Sequence, residues 1–140
     1  MDTTQNESSY GRFGVRAFAA SSAFPIKGAI IIVRSKQTSP PSTVAVLETD
    51  ESGKTPMITL EAPPKALSLS PNTNGTPYSL YDAEISRKGF YTTVTRNIQI
   101  YPDTTSVLPV NMIPLPDTSG TEKYIYGDVR LSGGETAQEL

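Results

Sequence analysis

From Arg12 to Ile113 the chain repeats one local theme: a short stretch of alternating or continuous apolar residues, then a cluster of Gly, Pro, Asn, Asp or Ser. Alternation places one face of an extended strand in a core and the other in water. Turn formers about every ten residues let such strands fold back on one another. Residues 12–19 put Phe13, Val15 and Ala17 on one face and Arg12, Gly14 and Arg16 on the other. Pro25-Ile-Lys-Gly28 is a turn before Ala29-Ile-Ile-Ile-Val33, which is apolar on both faces, as a central strand is. Residues 43–49, 56–60, 78–86, 90–100 and 107–113 complete a set of seven strands. No segment sustains a 3.6-residue apolar period, so the expected class is all-β, an antiparallel β-sandwich.

The 140 residues suffice for one domain with a core that needs no metal or disulfide. Twelve Pro and ten Gly fit many turns better than long helices. The chain has no Cys, which excludes a disulfide framework, a thiolate nucleophile and Cys-ligated zinc. It also has no His, the usual general base and transition-metal ligand. From this the chain is expected not to be an enzyme and to carry no catalytic, cofactor or metal residues.

The polar start MDTTQNESS has no basic stretch followed by an apolar run, so no signal peptide is visible. The longest apolar run, residues 29–33, is too short to span a membrane. The expected history is synthesis in the cytoplasm, with deposition on a cell or spore surface as an open destination. Between Tyr10 and Pro116 ten bases stand against seven acids, whereas from Asp117 onward five acids stand against two bases. A mildly basic body with an acidic tail lacks the dense basic face of a nucleic-acid binder.

Several motifs invite chemistry and fail on spacing. Thr49-Asp-Glu-Ser-Gly-Lys-Thr55 ends like a nucleotide-binding loop, but the first glycine of that loop would fall on Glu48, and Pro56 opens a strand rather than a helix. Asp50, Ser52 and Gly53 are instead the residue types of a hairpin turn. Asp50 and Glu51 offer adjacent oxygens but lack the Asp/Asn ladder of an EF-hand, leaving at most a weak calcium loop. Leu115-Pro-Asp-Thr-Ser119 has Ser where a wall-sorting signal needs Gly, and a polar sequel where that signal needs an apolar span. Asn6 and Asn74 stand in two short glycosylation patterns. Tyr91 and Tyr101 share a parity on residues 90–100, which together with Tyr78 makes them a candidate platform for a sugar ring.

Four segments in order resemble the carboxypeptidase regulatory-like (transthyretin-like, prealbumin-like) domain. They are Pro25-Ile-Lys-Gly-Ala-Ile-Ile-Ile-Val33, Thr49-Asp-Glu-Ser-Gly53, Tyr81-Asp-Ala-Glu-Ile-Ser-Arg-Lys-Gly-Phe90 and Val107-Leu-Pro-Val-Asn-Met112. The resemblance covers about residues 10–116, and the Pro-rich insertion at 61–77 departs from short members. That insertion is similar to a variant in peptidoglycan-binding and spore-cortex-associated proteins of Gram-positive spore formers. The resemblance implies an Ig-like, prealbumin-like sandwich serving as an accessory, stalk or assembly unit. In it Gly28, Ala29, Asp50, Gly53, Tyr81, Gly89 and Phe90 are structural.

The resulting division is a polar arm at 1–9, a sandwich at 10–116, and an acidic tail at 117–140. Within the tail, residues 123–131 alternate as an eighth strand, with Ile125, Val129 and Leu131 on one face and Tyr124 and Tyr126 on the other. This strand either pairs with an edge of its own domain or adds to a neighbour's edge, where main-chain hydrogen bonds would give affinity. The expected partners are a second copy or another bacterial protein of cell-wall or spore structures, with peptidoglycan or a glycan as the alternative. Nucleic acid and membrane insertion are not expected.

Overall fold

The computed structural model describes residues 9–20, 23–64, 76–116, 124–130 and 135–136. It contains β1 (Ser9–Ala19), β2 (Phe24–Pro25), β3 (Ile30–Ser35), β4 (Ser42–Glu48), β5 (Ile58–Ala62), β6 (Ser79–Ser86), β7 (Thr92–Ile100), β8 (Thr105–Asn111), β9 (Tyr124–Arg130) and β10 (Glu135–Thr136). No helix occurs among the described residues, and none is long and apolar enough to cross a membrane. The class is all-β and the architecture a two-sheet sandwich, as the alternation predicts.

One sheet is built around β1. Its first half pairs antiparallel with β5 along one edge, its end pairs with β2, and β8 runs parallel to it from Arg12 to Phe18. The other sheet has the order β10-β9-β7-β6-β3-β4. The ladders are antiparallel except for β1/β8 and β7/β9. A parallel pair needs a long crossover, and for β1/β8 the body of the domain itself is that crossover. The first and last strands of the body thus lie side by side.

Phe13, Val15 and Ala17 of β1 are buried as read, while Arg12 is exposed and Arg16 half-buried; Gly14, expected on the outward face with them, is instead buried against Met57. Ile31 and Val33 of the central strand β3 meet Ile85 and Ala83 of β6, Ile98 and Ile100 of β7, and Leu108 and Val110 of β8 in one core. Every buried apolar residue described lies between Phe13 and Met112.

The segment from Thr49 to Thr55 is not a hairpin turn, because β4 and β5 belong to different sheets. It is the strap that carries the chain from one sheet to the other. At its start the Thr49 hydroxyl accepts from the Ala29 N–H at 2.9 Å and donates to the Ile26 carbonyl at 2.6 Å. At its end the Thr55 hydroxyl accepts from the Val15 N–H at 2.9 Å. Between them the Asp50 carboxylate accepts from the Ser52 and Lys54 N–H groups at 2.8 and 3.1 Å. Gly53 has φ 78°, and a β-carbon there would collide with the Ala17 carbonyl oxygen. Only glycine meets both demands.

Candidate strand-acceptor edge and aromatic platform

β7 positions both features that the sequence singles out. Its first half, Thr92 to Arg96, carries β6 on one edge and β9 on the other. At Asp82 the β6/β7 register shifts, and Asn97 takes φ 61°. This is a bulge, in which an extra residue bends the strand and reverses which side chains face the core. The Asp82 carboxylate accepts from the Asn97 N–H at 3.0 Å, and Lys36 donates to Asn97 Oδ1 at 2.9 Å. Lys36 also lies 3.7 Å from Asp82, and Arg34 is 3.2 Å from Glu84. The acids of β6 are therefore paired across the sheet rather than simply solvated.

The bulge separates the tyrosines. Before it, Thr93 and Thr95 are buried; after it, Ile98 and Ile100 are buried and Gln99 is exposed. Tyr101 follows Gln99 outward and is 38% exposed, whereas Tyr91 has the parity of the buried threonines and is half-buried. The two also stand at opposite ends of a nine-residue strand, about 30 Å apart at 3.3 Å per residue. They do not share one platform. Tyr78 and Tyr101 do come together: Ser79 pairs with Ile100, and the two rings beyond that pair meet edge to face with centroids 5.5 Å apart. Tyr101 also donates to Gln99 Oε1 at 3.2 Å. Most of the 72–78 loop beside Tyr78, and Asn6 and Asn74, lie outside the described residues.

Of the expected tail strand 123–131, the structure describes Tyr124–Arg130 as β9, and Lys123 lies outside the described residues. Thr92, Thr93, Val94, Thr95 and Arg96 pair in parallel with Tyr124, Ile125, Tyr126, Gly127 and Asp128 of the same chain. The ladder stops at the bulge. β10 then returns antiparallel, with Thr136 opposite Val129. Leu131 lies outside the described residues. Ser9, assigned from the sequence to the arm, opens β1 opposite Ala62.

Two ionisable groups are displaced from their usual behaviour. Burial and the nearby Glu61 charge push the Tyr81 phenol from 10.0 up to about 12, while its hydroxyl donates to the Glu61 carbonyl at 2.7 Å. The Lys54 and Ser52 N–H groups hold the Asp50 carboxyl below its usual value. Both bonds fall on Asp50 Oδ1, one of the oxygens a calcium loop would need, and Glu51 reaches Lys27 at 3.6 Å. No cluster of three or more acidic, His or Cys residues that could hold a metal occurs among the described residues. A groove of about 580 Å³ runs between β4 and β5, lined by Tyr10, Val44, Ala45, Met57, Ile58 and Tyr81 among others.

No family model matches the chain, and no curated protein matches it. Solved structures do. (S)-Allantoin synthase superposes with TM-score 0.51 at 11% identity over 97% of this chain and 46% of the other. Catechol 1,2-dioxygenase from Acinetobacter sp. ADP1, in its mercury-inhibited form, superposes with TM-score 0.51 at 10% identity over 88% of this chain and 60% of the other. A minor pilin of the Gram-positive pathogen Streptococcus agalactiae gives TM-score 0.48 at 14% identity over 83% of this chain and 49% of the other. The chain spans about half the length of these neighbours. Identities this low establish a shared sandwich fold alone.

The enzymes among them correct one expectation. The absence of His and Cys pointed to a chain that is not an enzyme, but its sandwich is also the fold of a synthase and a dioxygenase. Catalysis depends on side chains placed on a scaffold rather than on the scaffold, so the fold supplies no ground for excluding it.

Proposed function

We propose that the chain is a β-sandwich interaction module that assembles by strand addition at the β7 edge, within bacterial cell-wall or spore structures. The observation that carries this reading is the parallel β7/β9 ladder. It is made by a strand that follows the body, whose described buried apolar residues run from Phe13 to Met112. Such a strand is held to its sheet through main-chain bonds, which any copy of the same tail makes equally well. Exchange of β9 between copies keeps every pair of the ladder and converts a self-contained domain into a head-to-tail assembly. The acidic tail and mildly basic body favour the same exchange.

Light scattering after size exclusion, on the full chain and on a version ending at Pro116 over a concentration series, tests this. Assembly that grows with concentration in the full chain and is lost on truncation is the expected result. Equal subunit numbers for the two chains would refute it.

A second reading rests on the Tyr78–Tyr101 pair, an exposed aromatic edge suited to a sugar ring of a glycan or peptidoglycan. Binding in a peptidoglycan pull-down would then survive truncation at Pro116 and fail in Tyr101→Ala, with Tyr91→Ala retaining it.

A further inference from the structure

A one-residue slip of β9 along β7 would turn every position of β9 to the opposite face, so alternation forbids it. A slip of two residues keeps both faces, and the register found needs a further cause. Toward the end of β7 that cause is the bulge. The slip would set Gly127 opposite Asn97, whose φ is 61° and whose N–H is held by the Asp82 carboxylate at 3.0 Å. Only Tyr124, Ile125 and Tyr126 would keep places on the ladder, opposite Val94, Thr95 and Arg96.

Toward the start of β7 the described ladder has no bulge. Tyr126, Gly127, Asp128, Val129 and Arg130 would then stand opposite Thr92, Thr93, Val94, Thr95 and Arg96, again as five pairs. Two positions separate this register from the one found. Thr95, which is 1% exposed, faces Gly127 as found and would face Val129 after the slip. Arg96, which is exposed, faces Asp128 as found and would face Arg130. Opposite charges at facing positions stabilise a strand pair, and like charges destabilise it.

We infer that Arg96 is the register-determining residue of the β7 edge: it selects a parallel strand with an acid at the fifth position of the ladder and rejects one with a base there. The assignment rests on strand addition as the role of this edge, and it names the chemistry of the strand the edge accepts. Tyr-Ile-Tyr-Gly-Asp, residues 124–128, fits that chemistry, with Arg130 as the mismatch two residues on. An exposed ion pair adds little affinity. Its effect lies in the difference between registers, where attraction is replaced by repulsion at one place. The bulge after Arg96 closes the ladder on one side, and the charge of Arg96 sets it on the other.

The absence of cysteine makes the register readable in the full chain. Val94→Cys with Tyr126→Cys places two thiols at facing positions, where α-carbons are about 4.8 Å apart and a disulfide can form. A two-residue slip moves them to about 8 Å, beyond its reach. Three proteins carry this pair: one with native charges, one with Arg96→Asp, and one with Arg96→Asp, Asp128→Arg and Arg130→Asp together. Oxidation at low ionic strength, where exposed charges are least screened, should link the first readily. Arg96→Asp sets two acids face to face and offers Arg130 after a slip, so its yield should fall at least about threefold. The charge-inverted protein restores the original preference and should recover the yield, which a merely structural role of Arg96 would not allow. Equal yields in all three, no link with the native charges, or no recovery on inversion would overturn the assignment. The size of the linked product tests exchange separately over a concentration series. Links that follow the charges but stay within one chain at every concentration would refute exchange between copies and leave the role of Arg96 standing.

Discussion

Thr49→Val removes one hydroxyl from a site where two buried main-chain groups depend on it. Thr49 is 3% exposed, and its Oγ1 is the partner of both the Ala29 N–H and the Ile26 carbonyl, at 2.9 and 2.6 Å. Valine has the same shape, so no cavity forms and packing is kept. What changes is that a donor and an acceptor lose their partner, at about 1–3 kcal/mol for each buried group left unsatisfied. The added methyl returns about 1 kcal/mol, so the net loss should be about 1–5 kcal/mol. For a domain of this size that lowers the melting temperature by roughly 3–15 °C. Thr49→Ser is the informative control. It keeps the hydroxyl and loses a buried methyl, at about 1 kcal/mol. Urea denaturation of the three proteins, with the slope unchanged, reads the difference directly. The reasoning fails if Thr49→Val lies within about 0.5 kcal/mol of wild type, or if serine is the more damaging of the two.

Other perturbations have equally definite outcomes. Gly53→Ala forces a β-carbon against the Ala17 carbonyl at φ 78° and should cost about 1–3 kcal/mol in the same denaturation assay. Leu108→Ala empties a fully buried site and should cost about 2–5 kcal/mol, visible as a lower urea midpoint. An absorbance titration of the phenolate band should find one tyrosine ionising near pH 12, and Tyr81→Phe should remove that step. Because Tyr81 binds its proton more tightly when folded than the usual 10.0 allows, its contribution to stability is complete below pH 10 and disappears as pH rises to about 12. Urea midpoints of the wild type should therefore fall across that window more steeply than those of Tyr81→Phe.

The all-β class, the inward face of β1 and the glycine at position 53 were legible because they depend on local chemistry. Period-2 alternation says which side chains can be buried together, and a required positive φ says where glycine must stand. The acids and threonines of the strap from Thr49 to Thr55 were legible too, but their destination was not. Whether β4 turns into a partner or crosses to the opposite sheet depends on contacts with Ala17 and Val15, more than thirty residues away in the chain. The same limit separates Tyr91 from Tyr101. Their shared parity is a correct count along the chain, and the bulge at Asn97, held by Asp82 from the neighbouring strand, reverses it midway. The pairing of β9 with β7 likewise belongs to the tertiary structure. Alternation determines which residues a strand offers to each face, but its hydrogen-bonding edges look alike at every residue, so only the assembled sheets decide which edge meets which.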